Sequence, residues 1–180
     1  MDTIGFITAS ARELEIKTCL GFDPRLLVPE PRIRHFCHQN KCGNFGANYM
    51  CPPVIGSPRE IELRLRGFSR GVLLQYSRPL VLPGDAEGVK QAKLEFHHKV
   101  LELEALLRGK GLTGLWGLIG GSCELCDVCK AATDEPCPRP EEARPSLEAL
   151  AIDVLGLLDR LGLDSEFNPD RITWTGCILL

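Results

Sequence analysis

Apolar residues recur three and four apart at Val89, Ala92, Phe96, Val100, Leu103 and Leu107. This spacing predicts an amphipathic helix over 85–108 with one face turned to a core, and Gly109 and Gly111 end it. A second such pattern, Leu147, Leu150, Ala151, Val154, Leu158 and Leu161, predicts a helix over 146–161 ending at Gly162. Ser57-Pro58-Arg59-Glu60 reads as a capping box, followed by the apolar positions Ile61, Leu65 and Phe68 of a short helix. Three brief apolar runs, 71–76, 112–119 and 172–180, read as strands.

Before position 57 the pattern weakens. A helix over 10–20 and an extended piece over 33–37 are the only elements predicted there, separated by Pro24, Pro29 and Pro31. The expected architecture is α/β: a small sheet of about three strands flanked by helices, with cysteine-rich loops. It forms a single domain over 1–180, and 1–56 is an irregular N-terminal segment carrying the first cysteine motif. Trp116, Trp174, Phe96 and Phe68 are core candidates.

Composition narrows the function. Hydrophobic residues make up 44% of 180 residues, enough for a core that needs no metal to fold. The net charge of −3 and the scattered arginines argue against nucleic-acid binding. The chain opens without a basic leader and apolar run, so no signal peptide is expected. No run approaches the roughly 18–20 apolar residues of a membrane span. A cytoplasmic location follows, where disulfides rarely persist. The nine cysteines then point to metal binding or catalysis.

Seven of them form two sets. Cys123-x2-Cys126-x2-Cys129, with Cys137-Pro138 after seven residues, follows the ligand pattern of cubane ferredoxins. A tight turn brings three thiolates to three corners of a cubane, and a fourth arrives from a separate loop. Cys37-x4-Cys42-x8-Cys51, followed by Pro52-Pro53, is the other set, with Gly43 and Gly46 for tight bends. One or two 4Fe-4S clusters are the expected cofactors. Zinc is the alternative: the even triple at 123, 126 and 129 suits one tetrahedral ion poorly, but His38 would complete a Cys3His site with Cys37, Cys42 and Cys51. Two fully ligated cubanes need about eight thiolates. Cys19 or Cys177 would supply the eighth, or one iron is left open, or Cys137 belongs with the first set.

The order Cys-x4-Cys, Tyr49-Met50-Cys51-Pro52-Pro53, Cys123-x2-Cys126-x2-Cys129, Cys137-Pro138-Arg139-Pro140-Glu141 and Ala143-Arg144-Pro145-Ser146-Leu147-Glu148 resembles an uncharacterised prokaryotic family of predicted metal-binding proteins. The resemblance runs from about Ile33 to the C-terminus. It implies metal binding and carries no reaction with it.

Other residues read more plainly. Arg139 and Arg144 are expected either to bond an anionic cluster or to pair with Glu141, Glu142 or Glu148. Ser146 reads as an N-cap. His35 and His38 are secondary ligand candidates. His97 and His98 point about 100° apart on a helix, a poor metal pair, and read as solvated or half-buried. Cys19 and Cys177 read as inert core thiols. Gly120-Gly121 reads as a turn feeding Cys123.

The leading expectation is an iron–sulfur protein that transfers electrons to a redox partner protein. The alternatives are an enzyme with an open cluster iron and a zinc-stabilised structural or interaction module.

Overall fold

The computed structural model describes residues 3–180. Its elements run α1 (Thr3–Glu13), β1 (Thr18–Phe22), α2 (Pro31–His38), α3 (Pro58–Leu65), β2 (Gly71–Pro79), α4 (Ala86–Gly109), β3 (Trp116–Leu118), α5 (Val154–Arg160) and β4 (Arg171–Leu179). The four strands form one antiparallel-paired sheet in the order β1-β2-β4-β3. β2 pairs with β4 from Gly71↔Leu179 to Pro79↔Arg171, and β3 pairs with β4 at Trp116↔Leu179 to Leu118↔Cys177. Strands β2 and β3 are therefore parallel to each other, with α4 as their crossover and β4 inserted between them, a split β-α-β unit.

The period-two alternation of the central strands sorts the core into two faces. Val72, Leu74, Tyr76 and Ile178 pack with Phe96, Val100, Leu103 and Leu107 of α4 and with Ile7 and Ala11 of α1. Leu73, Leu118, Cys177 and Leu179 pack with Ile61 and Leu65 of α3 and Leu157 and Leu158 of α5. The result is a sheet covered by helices on both sides. Trp116 and Phe96 are buried in it, and Phe68 and Trp174 are partly buried against it.

The long helix starts where Asp85 accepts a hydrogen bond from the Gly88 N–H, and α3 starts in the complete Ser57–Glu60 capping box. Elsewhere the sequence pattern needs correction. The sheet has a fourth strand, β1, where the pattern predicted a helix over 10–20; the helix lies earlier, at α1, where Ile7, Ser10 and Ala11 form its buried stripe. Residues 33–37 are helical, within α2, because Pro31 sits at the helix start and pre-sets its φ. Thus the stretch 1–56 carries regular elements within its described part. The helix predicted over 146–161 is two pieces. Residues 147–151 form turns, Ala151 takes a left-handed φ of 65°, and Asp153 caps the shorter α5. That break lets Leu147, Leu150 and Ile152 reach the core from a turn.

Candidate metal centre

Both cysteine segments gather beyond one end of β3. The diglycine after β3 passes against β4 and α4 with no room for side chains: a Cβ on Gly120 would stand 2.8 Å from the Trp174 ring, and one on Gly121 2.9 Å from Lys93 Cδ. Gly121 also has a φ of +70°, and the chain turns there toward Cys123.

Cys123, Cys126, Cys129 and Cys137 line one cavity of about 20 Å³, with Asn48, Met50 and Arg139 among its other walls. Cys37, Cys42 and Cys51 line a second, partly open cavity of about 340 Å³, together with Lys93, Ser122, Ser146 and Glu148. The cavities share walls. Residues 48–50 face the first and Cys51 and Pro52 the second; Ser122 faces the second and Cys123 the first. Cys51 is within electrostatic reach of Cys42 and Cys37 in its own set and of Cys123 and Cys129 in the other. Asn48 stitches the two segments. Its Nδ2 donates to the Cys123 carbonyl at 2.9 Å and its Oδ1 accepts from the Met50 N–H at 2.9 Å. Tyr49 adds a hydrogen bond from its hydroxyl to the Glu135 carbonyl at 2.6 Å.

Cys137 lies with 123, 126 and 129, not with the first set. Cys19 and Cys177 line neither cavity. Cys177 is fully buried in the sheet core, and Cys19 sits on β1 with Thr8 at 3.6 Å. His35 and His38 are exposed and line neither cavity; the His38 ring instead lies 4.8 Å from that of Phe45. Among the described residues no group of three or more His, Cys, Asp or Glu side chains is drawn together tightly enough to hold a single ion.

Burial pushes the Cys51 thiol up to about 12, with the neighbouring cysteines adding to the shift. Burial also raises Cys37 and Cys123, although the N–H groups of Leu125 and Arg144 donate to the Cys123 sulfur and oppose the change. Held as thiolates, cysteines crowded in this way would need positive charge among them, which metal ions provide. The donor set therefore fits a thiolate-bound metal or cluster: four thiols in one cavity, three thiols and a carboxyl in the other.

Arg139 has one of its expected partners, and Arg144 does not. Arg139 pairs with Glu142 and donates to the Leu125 carbonyl at 3.2 Å. Arg144 is buried against Glu104 of α4, a partner the sequence pattern hid inside a helix. Ser146 does act as a local cap, accepting from the Ala149 N–H at 3.1 Å. Sequence reasoning missed Asn48, Lys93 and Ser122 as cavity residues and Glu148 as more than a salt-bridge partner. The only signal for the last was the Arg-Pro-Ser-x-Glu segment.

His97 departs from expectation. It is 1% exposed, while His98 is exposed. Its Nε2 lies 2.9 Å from the Glu142 carbonyl oxygen, which only accepts, so the neutral ring carries its proton there. Nδ1 is buried with no hydrogen-bond partner. Desolvation pulls the His97 pKa down to about 4, with His98, Arg144 and Arg139 adding to the drop. Because the folded value lies below the unfolded one near 6.5, its contribution is complete above pH 6.5 and disappears as pH falls toward 4. At full protonation the loss is at most about 3 kcal/mol. Urea unfolding at pH 7 and pH 4.5 is expected to show a smaller drop in His97→Gln than in the parent; equal drops would remove His97 as the cause.

Two neighbouring cysteine-lined cavities at one end of a sheet offer the donor set of a protein of the metal-binding class. The chain belongs to the family described as "Predicted metal-binding protein (DUF2284)", whose model matches residues 22–180. No curated protein matched the chain, and no solved structure did. Among the described residues no helix is long and apolar enough to cross a membrane.

Proposed function

We propose that this is a cytoplasmic iron–sulfur protein in which the two cysteine sets hold two 4Fe-4S clusters and pass electrons to a redox partner protein. The observation that carries the reading is the ferredoxin-like spacing of Cys123, Cys126, Cys129 and Cys137 together with their common cavity. A bound cluster supplies a one-electron couple. The chain's own residues tune and connect it. The N–H groups of Leu125 and Arg144 donate to the Cys123 sulfur, which favours the more negative, reduced state. The shared wall at 48–52 and 122–123 keeps the two sets adjacent, which suits electron passage between them. Phe36 at 61%, Val54 at 45% and Val128 at 68% exposure flank cysteines of both sets and leave apolar surface for a partner.

A second reading has its own observation. A cavity of about 20 Å³ is close to the room one water needs, which is nearer the size of a single zinc ion than of a cubane, although the four thiols would have to draw closer together to bind one. A cluster there requires the 123–137 loop to spread. Strictly anaerobic purification followed by metal and acid-labile sulfide analysis separates the two. About eight irons and eight sulfides per chain with broad absorption near roughly 400 nm is expected for two cubanes. Zinc alone, without sulfide, would end the iron–sulfur reading.

A further inference from the structure

The first cysteine set offers three thiols, and the cavity they line is far larger than a single ion needs. Facing them across that cavity is Glu148. It follows the turn at Ser146, whose backbone bridges Ile119 at the end of β3. Glu148 is an exposed residue that lines the open cavity. The donors nearest its carboxyl are the Ser146 hydroxyl, its own N–H and the N–H of Gly121. No arginine or lysine forms an ion pair with it among the described residues. Lys93, the nearby cation on the cavity wall, is committed to Glu124. The carboxyl thus lies on the cavity wall without a cationic partner, and Cys37 lies within its electrostatic reach.

An independent feature points to an anionic centre in the same place. Arg34 lies one helical turn before Cys37 on α2 and is only 7% exposed. Its Nη2 donates to the Gly56 carbonyl at 3.3 Å, its Nε has no hydrogen-bond partner, and no carboxylate pairs with it among the described residues. A buried guanidinium without an anion is costly. The ionisable group within its reach is Cys37, which becomes a charged thiolate when it binds metal.

We propose that Glu148 supplies a carboxylate ligand to the metal centre held by Cys37, Cys42 and Cys51, with Arg34 as the buried counter-cation beneath Cys37. The inference rests on the reading that the first cysteine set holds metal, but not on which metal. On binding, a metal–oxygen bond forms at the Glu148 carboxylate and metal–sulfur bonds form at the three cysteines, whose thiol protons pass to solvent; no electron is exchanged in this step. The fourth position is then filled by oxygen, a harder and more exchangeable donor than thiolate. That position is where a small anionic ligand entering the open side of the cavity would compete with Glu148.

The test uses the full chain carrying Cys126→Ala and Cys129→Ala, so that metal loss is read from the first site. Release of metal to a chelator is followed in this background and with Glu148→Gln or Glu148→Cys added. Glu148→Gln is expected to release metal at least roughly tenfold faster, while Glu148→Cys restores slow release. Parent-like release in Glu148→Gln overturns the inference. So does equally fast release in both variants, because position 148 would then support the fold rather than ligate. Failure of the background protein to bind any metal overturns it as well. Metal identity in the same samples tests the iron–sulfur reading separately. Zinc with fast release in Glu148→Gln upholds the ligand and rejects the cluster; iron and sulfide with unchanged release do the reverse.

Discussion

Arg144→Ala is expected to cost about 3–5 kcal/mol of stability, the loss typical when one partner of a buried ion pair is removed. Glu104 is fully buried on α4. Its Oε1 accepts from the Gly117 N–H at 2.6 Å and from Arg144 Nε at 3.2 Å, and Oε2 accepts from Arg144 Nη2 at 2.5 Å. Arg144 Nη1 also donates to the Glu141 and Ala143 carbonyls, both at 2.9 Å. One guanidinium thereby ties α4, β3 and the segment that follows Cys137. Its removal takes the donor from two carbonyls and leaves the buried carboxylate only the Gly117 N–H and Arg108 Nη2 at 3.3 Å. The loss is measured by urea unfolding of the metal-free chain. The double variant Glu104→Leu/Arg144→Met is expected to recover much of it, since no unpaired charge is then left buried. A single variant as stable as the parent would show that the pair is not a support of this loop. The backbone N–H at position 144 faces the Cys123 sulfur and survives the substitution, so Arg144→Ala is expected to weaken metal retention at the second set only by loosening the segment that the guanidinium ties to α4.

The cysteine substitutions are expected to divide by cavity. Replacing Cys126 and Cys129 with alanine removes the metal of one centre, replacing Cys42 and Cys51 removes that of the other, and all four changes together leave the chain metal-free. For two equal centres each pair lowers bound metal by roughly half. Cys19→Ser and Cys177→Ala leave metal content unchanged, because neither thiol lines a cavity. Cys177→Ala instead lowers stability, since its sulfur is fully buried among Leu73, Leu118 and Leu150 in one core cluster. Metal analysis of anaerobically prepared variants reads all of these. Loss of all metal on changing either pair alone would mean that the seven cysteines build one centre, not two.

Much of the scaffold was legible because it follows local rules. The 3.6-residue stripe of α4, the Ser57–Glu60 box and the apolar runs of β2 and β4 need only neighbours in sequence. The two cysteine motifs were legible from spacing, but the place of Cys137 and the separation of Cys19 and Cys177 from both sets were not fixed by it and are decided by the cavities. The short β1 was not, because five residues containing a cysteine and a glycine become a strand only by pairing with β2. The helix over 146–161 failed for a related reason: a helical spacing of apolar residues also serves a turn followed by a short helix when both meet the same core.

What the sequence determined by itself is the chemistry on offer: thiols in ligand spacing, carried by loops of an α/β chain. What only the tertiary structure decided is which distant groups face those thiols. Glu148 opposite Cys37, Glu104 beneath Arg144 and Asn48 bound to Cys123 are pairings across 40 to 111 residues for the first two and 75 for the third. No periodicity encodes them. They arise because the split β-α-β unit brings the end of β3, the Ser146 turn and the segment after α2 to one place, and burial there leaves each polar group only the partners the fold supplies.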